Sequence, residues 1–240
     1  MKLLSILKHY APTPLVQFWN QYKIDKISKK TFNFSDKKDE LFYIHINKCG
    51  GQTLHYAIKS SVALNKKFRI IHRVHGQKPP IAKNAMYLIV VRNPIDRVVS
   101  AFNWRKHLVV ETNKQRNRFK GEYQLLLRYN SLDDLASKLY DDKGCENKQA
   151  IDDFFFFSHI RAGPGYYLKD LLELISEKQI FAVLVQNNLT SDIKKYLLVE
   201  DFNSKHVTPP MPTSLTNISI RNLKRILSDD YLSLQRLIDM

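Results

Sequence analysis

From position 41 the chain reads Leu-Phe-Tyr-Ile-His-Ile-Asn-Lys-Cys-Gly-Gly-Gln-Thr-Leu, a β-prone run, a glycine turn and the start of a helix in close succession. Residues 42–46 are mostly aromatic or β-branched and suit a buried strand, while Gly50 and Gly51 let the backbone take positive φ and come close to a ligand. Leu54, Ala57 and Ile58 follow at i, i+3 and i+4, so the spacing predicts a helix opening near Thr53. The unpaired N–H groups and positive dipole end of such a helix face whatever the loop holds, and an anion fits best. Lys48 adds a mobile positive charge. A plain strand-to-helix turn with a solvated lysine would use the same letters, so this stretch alone does not fix a function.

A Walker loop places its lysine after the last glycine, whereas here Lys48 precedes the glycine pair, which disfavours an ordinary ATPase. Further along, residues 68–72 read as a second strand and residues 86–91 as a third, continuous apolar one. The third runs into Val-Arg-Asn-Pro-Ile-Asp-Arg-Val-Val-Ser-Ala-Phe, ending at Phe102, where Asn93 is a good N-cap and Pro94 a good first helical residue. Ile95, Val98, Val99 and Phe102 give that helix an apolar stripe, and Asp96, Ser100 and Asn103 a polar one. Residues 180–185 are a fourth apolar strand. Strands alternating with helices predict an α/β fold, a P-loop-like three-layer sandwich with a central parallel sheet of about four or five strands and ligands at the strands' carboxyl ends.

The chain has 240 residues, 44% of them hydrophobic, enough for one sizeable domain with a real core. Residues 1–40, with two prolines and two basic stretches, read as a separate helical and basic segment able to touch a membrane surface or pack on the domain, leaving 41–240 as the main domain. A net charge of +15 and a pI near 9.7 point to anionic partners without naming one. Two cysteines are too few for a disulfide framework, no run is long enough to span a membrane, and the first ten residues lack a signal-peptide pattern. These traits predict a cytoplasmic protein, with peripheral membrane contact through residues 1–40 as the exception to watch.

Tyr-Ile-His-Ile-Asn-Lys-Cys-Gly-Gly-Gln-Thr resembles the 5′-phosphosulfate loop of sulfotransferases, and Val-Arg-Asn-Pro-Ile-Asp-Arg-Val-Val-Ser-Ala-Phe resembles their 3′-phosphate motif, in the family's order and each at a strand-to-helix junction. The similarity is nearest to the branch of membrane-type carbohydrate sulfotransferases and their bacterial relatives. It implies 3′-phosphoadenosine 5′-phosphosulfate (PAPS) as donor, held by Lys48, Cys49, Gly50, Gly51, Gln52 and Thr53 at the 5′ side and by Arg92 and Ser100 at the 3′-phosphate. Asn47 stands where the family usually has proline, and Gln52 where it often has serine or threonine. Phe202-Asn-Ser-Lys-His206 resembles a late loop that closes over the nucleotide in relatives.

No metal is expected, since lysine, arginine and helix N-termini supply the counter-charge and no His/Cys/carboxylate cluster has ligand spacing. The expected acceptor is a hydroxyl of a glycan or glycolipid, itself acidic in some cases, with small alcohols and phenols as the alternative. Arg105, Lys106, Lys114, Arg116, Arg118 and Lys120 form a basic run that would serve as its wall or simply as a solvated face. Lys48 is expected to neutralise the leaving oxygen. For the general base the candidates are His45, His55, His72 and His75. His75 is favoured over His72 because Gly76 turns the chain behind it and the similar branch carries a histidine between the two motifs; Glu111 or Asp152 would serve if neither does. A nucleotide kinase with a degenerate phosphate loop and a polyanion-binding or nucleic-acid-binding module remain the rival classes, the last without any helix-turn-helix, zinc or aromatic RNA motif and therefore without a specific nucleic acid.

Overall fold

A computed structural model describes residues 40–202 and 214–240. Four strands, β1 (Glu40–Ile44), β2 (Ile70–Val74), β3 (Ala85–Val91) and β4 (Ile180–Val185), form one parallel sheet in the order β2-β1-β3-β4. Every residue of β1 is buried, and β3 is nearly so, which a strand achieves only when helices cover both faces of its sheet. The edge strands β2 and β4 carry the more exposed side chains. This is the α/β sandwich that the apolar runs predict, with four strands.

From β1 the chain moves outward to β2 and then returns past β1 to β3, so the loops leaving β1 and β3 part at a topological switch point. Open parallel sheets bind ligands in the crevice such a divergence leaves. Both sequence motifs sit there, with α1 (Gly51–Ser60) after β1 and α3 (Pro94–Lys106) after β3. Leu54, Ala57 and Ile58 are the buried stripe of α1, packed against the sheet. Helix α3 starts as its letters require: Asn93 Oδ1 accepts from the N–H groups of Ile95 (3.0 Å) and Asp96 (3.3 Å), and Pro94 occupies the first turn.

The boundaries differ from expectation where local hydrogen bonds compete with the strand pattern. Helix α2 (Val62–Lys67) claims Phe68, whose N–H bonds Leu64 O at 2.9 Å, so β2 starts two residues late and His72 lies inside it rather than at its end. β1 ends at Ile44; the chain then turns, closed by Cys49 N–H on Ile46 O at 3.4 Å, and α1 opens at Gly51.

A second core lies beside the sheet. Val98, Ala101 and Phe102 of α3 pack into it with α4 (Glu122–Arg128), α5 (Leu132–Ser137), α6 (Lys148–Phe156) and α7 (Ser158–Arg161). Between α3 and α4 the helix winds into a π-helical turn, His107–Glu111. The chain continues through α8 (Pro164–Leu174), β4 and α9 (Leu189–Leu197). The described chain closes with two helices, α10 (Asn217–Ile226) and α11 (Ser228–Asp239), broken at Leu227. The break lets Asp230, buried in the first turn of α11, accept from Gly165 N–H (2.7 Å) and pair with Arg97 of α3 (3.2 Å). Arg97 also donates to the carbonyls of His159 (2.7 Å) and Ile160 (2.8 Å), so this one buried guanidinium ties α3, α7 and α11 together.

No helix among the described residues is long and apolar enough to cross a membrane. Residues 1–39, and residues 203–206 of the expected closing loop, lie outside the described residues.

Candidate active site

The turn after β1 is shaped by two left-handed residues, Lys48 (φ 66°) and Gly50 (φ 82°). Glycine takes that conformation freely, whereas a lysine there is uncommon and has to be held in place. Arg92, at the carboxyl end of β3, holds it: its Nη1 donates to Lys48 O at 3.2 Å. The Lys48 ammonium lies 4.5 Å from the centre of the Trp104 ring on α3. Helix α1 then begins with neither a side-chain cap nor an acidic residue in its first turn, so its amide face is directed at the crevice without a competing carboxylate.

The charges that act on Lys48 are of one sign. Burial pushes the Lys48 ammonium down to about 8, and the neighbouring Arg92 and Arg105 push the same way. Arg105 is fully buried and neutralised by Glu122, with its Nε and Nη2 donating to the two carboxylate oxygens at 2.7 and 2.5 Å. Among the described residues Arg92 has no such partner, and its buried Nε makes no hydrogen bond. An unspent guanidinium N–H, a strained lysine and an uncapped helix start are donors to an anion, and the donor chemistry fits a phosphosulfate.

Gly51 provides room rather than flexibility. A Cβ there would stand 1.9 Å from Cδ2 and 2.1 Å from Nε2 of His45, so the imidazole lies directly on the first residue of α1. Cys49 belongs to the core: it is fully buried, its N–H is used in the turn, its Sγ faces Asn47 O at 3.7 Å, and burial pushes its thiol up to about 12. It shapes the loop and offers a ligand little. Thr53 is buried and Gln52 half-buried in the first turn of α1. Ser100 is half-buried on α3, one helical turn before Trp104 and therefore on the face that carries the ring to Lys48.

The basic run from Arg105 to Lys120 is not one surface. Arg105 is interior, Arg116 stacks on Tyr123 (3.9 Å to the ring centre), and Arg118 donates to Gln115 Oε1 at 3.2 Å. Arg105 faces inward from α3 itself, whereas the later cations come after the π-helical turn.

Four of the histidines separate clearly. His72 Nε2 donates to Glu40 Oε2 at 2.8 Å and stacks on Phe42, so its ring is directed to the end of β1 away from the phosphate loop. His55 meets the Tyr43 hydroxyl through Nδ1 at 2.5 Å. His75 follows β2 directly and its Nδ1 lies 3.1 Å from His45 O. A carbonyl only accepts, so His75 Nδ1 carries the proton and Nε2 is the basic nitrogen. The His45 and His75 rings are 4.3 Å apart. Burial lowers His75 to about 4, against the pull of the backbone bond and with a further push from Arg73. Behind it, Gly76 N–H donates to the buried Tyr167 hydroxyl at 2.8 Å, which fixes the turn that presents His75. The alternative carboxylates are elsewhere: Glu111 is exposed and paired with His107, and Asp152 is exposed on α6.

Sequence inspection missed Trp104 and His159. Trp104 continues the stripe of Ser100 by one turn, a signal that was present. His159 carried none: it follows a run of phenylalanines, and only the packing of α7 against α3 brings it to the site. Burial holds it at about 3, with Arg105, Lys48 and His75 adding to the shift, and Arg97 Nη1 fixes its carbonyl at 2.7 Å. Among the described residues no three of His, Cys, Asp or Glu gather as a metal site would require.

A parallel α/β sheet with a cationic, glycine-bearing loop at its switch point offers a crevice suited to an anion. The chain belongs to the sulfotransferase family, whose family model matches residues 30–160, more than half of its length and all of the loop, Arg92, Ser100, His75 and Trp104. No match was found among curated proteins or solved structures. Family membership makes the chain a transferase of sulfuryl groups.

Proposed function

We propose that the protein transfers the sulfuryl group of PAPS to a hydroxyl of a carbohydrate, a polysaccharide or glycolipid that can itself be acidic. The observation that carries this is the Arg92 to Lys48 O bond, which welds the 5′-phosphosulfate loop to the 3′-phosphate motif at one crevice. Lys48 and the first turn of α1 bind the 5′ end, and Arg92 with Ser100 the 3′-phosphate. The acceptor oxygen attacks sulfur, an O–S bond forms, and its proton passes to His75 Nε2. The bond from sulfur to the bridging oxygen breaks, and that oxygen keeps the electron pair beside the Lys48 ammonium, leaving adenosine 3′,5′-bisphosphate. Lys48 and the loop amides therefore act where charge develops, the interaction that lowers a barrier most. The net charge of +15 supports an anionic acceptor or one displayed among anionic groups, and the similarity of the two motifs to the carbohydrate branch supports a sugar.

The deciding experiment incubates the protein and ³⁵S-labelled PAPS with a panel of glycans, glycolipids, alcohols and phenols. Label entering a glycan or glycolipid is expected, and label entering only small phenols overturns the acceptor class. Thermal shift with adenosine 3′,5′-bisphosphate should exceed that with ATP and Mg²⁺; the reverse order identifies a kinase.

A further inference from the structure

Arg73, the fourth residue of β2, directs its guanidinium at an imidazole. Its Nε and Nη2 both donate to His45 Nδ1, at 3.0 and 2.5 Å. Among the described residues Arg73 forms no ion pair with a carboxylate (the buried acid on β1, Glu40, is taken by Arg69 and His72). A guanidinium has no acceptor, so His45 Nδ1 must supply a lone pair and the ring proton must sit on Nε2. That edge rests on Gly51, at the start of α1. The carbonyl of the same residue, His45, accepts from His75 Nδ1, which places the lone pair of His75 on Nε2. One chain of bonds thus runs from Arg73 through both sides of His45 to His75.

We infer that Arg73 is a positioning residue for the transfer reaction, setting the tautomers of His45 and His75 so that an N–H faces the donor anion and a lone pair faces the acceptor. A lone pair of His45 aimed at the loop would repel a phosphosulfate, and a protonated His75 Nε2 could not take the hydroxyl proton. Among the described residues Arg73 bonds only to His45, so it prevents the first directly and the second through the backbone of that residue, whose carbonyl takes the His75 proton. The groups around the histidine pair are basic or neutral: His159 from α7 with Lys48 beyond it, His55 and Tyr43 beside Arg73, and the Tyr167 hydroxyl from α8. Arg73 is the fixed charge among them that contacts the pair. This inference deepens the proposed role of His75 and rests on it only where turnover is read.

The test is ¹⁵N NMR of histidine side chains in the full chain, assigned with single-histidine substitutions, for the wild type, Arg73→Met and Arg73→Lys. In the wild type, His45 should show a pyridine-like Nδ1 and His75 a pyridine-like Nε2. In Arg73→Met the His45 tautomers should mix and the His75 midpoint should rise by on the order of one pH unit, the usual scale for removing a nearby like charge. The acidic limb of the transfer rate should move with it, and Arg73→Lys should restore the midpoint. A protonated Nδ1 on His45 in the wild type overturns the inference and needs no variant to fold. So does a folded Arg73→Met with wild-type resonances and midpoint. If the resonances behave as expected while His75→Ala still transfers sulfuryl, the base assignment fails and the tautomer relay stands.

Discussion

Lys48 Nζ lies 4.5 Å from the centre of the Trp104 ring, so the ammonium that the loop presents is held by the π face of a helix two strands away in sequence. A cation over an aromatic ring in a partly desolvated place is stabilised by about 0.5 to 2 kcal/mol, enough to hold a long side chain in one position without neutralising its charge. A carboxylate in the same place would hold the lysine as well but would cancel the field a phosphosulfate needs.

Lys48→Ala should reduce turnover by on the order of a hundredfold or more while changing the affinity for adenosine 3′,5′-bisphosphate much less, because the charge matters most as the bridging oxygen leaves. Steady-state kinetics paired with calorimetry read the two separately. Comparable turnover in the variant would reduce Lys48 to a solvated lysine.

Lys48 should also take up a proton when the nucleotide binds. Burial and two arginines hold it at about 8, and an incoming anion favours the charged form and raises it again. At pH 8 the free protein is therefore partly deprotonated at Lys48 and the complex is not. Binding enthalpies measured in two buffers of different ionisation enthalpy should reveal net uptake, absent in Lys48→Met; proton release would contradict the geometry.

His75→Ala should bind the bisphosphate normally and lose transfer by about a hundredfold or more. In the wild type the basic nitrogen is neutral above about 4, so kcat/KM should fall only as the pH drops toward that value. The variant should lack this limb. A dead His159→Gln beside an active His75→Ala would transfer the role to the histidine across the crevice.

The same histidines make the fold acid-sensitive. His55 and His75 are lowered to about 4 and His159 to about 3 from an ordinary value of 6.5, so between those limits the unfolded chain binds more protons than the folded one. Their contribution to stability is complete above 6.5 and is lost as the pH falls through the folded values. The urea midpoint should decline steadily from pH 7 to pH 4.5, and His159→Gln should flatten the decline. A midpoint constant over that range would mean that the imidazoles are hydrated.

The parts of this fold that depend on neighbours in the chain could be read from it. The apolar run of β3 and the Asn93-Pro94 start of α3 are local facts, and so is the glycine pair after β1. What could not be read depends on partners far away. Phe68 looked like strand because its role as the stop of α2 is set by a bond to Leu64 O. Arg105 looked like surface because nothing nearby announces Glu122 as its buried partner. Arg73, one residue past the expected second strand, carried no signal, since a strand's alternation fixes which face a side chain takes and says nothing of an imidazole just beyond the end of β1.

The clasp between Arg97 and Asp230 has a consequence for how the protein comes into being. The two residues are 133 positions apart, and Arg97 holds the backbone of His159 at the site. At common rates of synthesis, on the order of ten seconds pass between making one partner and the other. Throughout that interval the sheet strands β1 to β3 and the phosphate loop already exist as chain, while the guanidinium beneath the site still lacks its counter-ion. The nascent protein is thus given its glycine-bearing loop early and its finished crevice late.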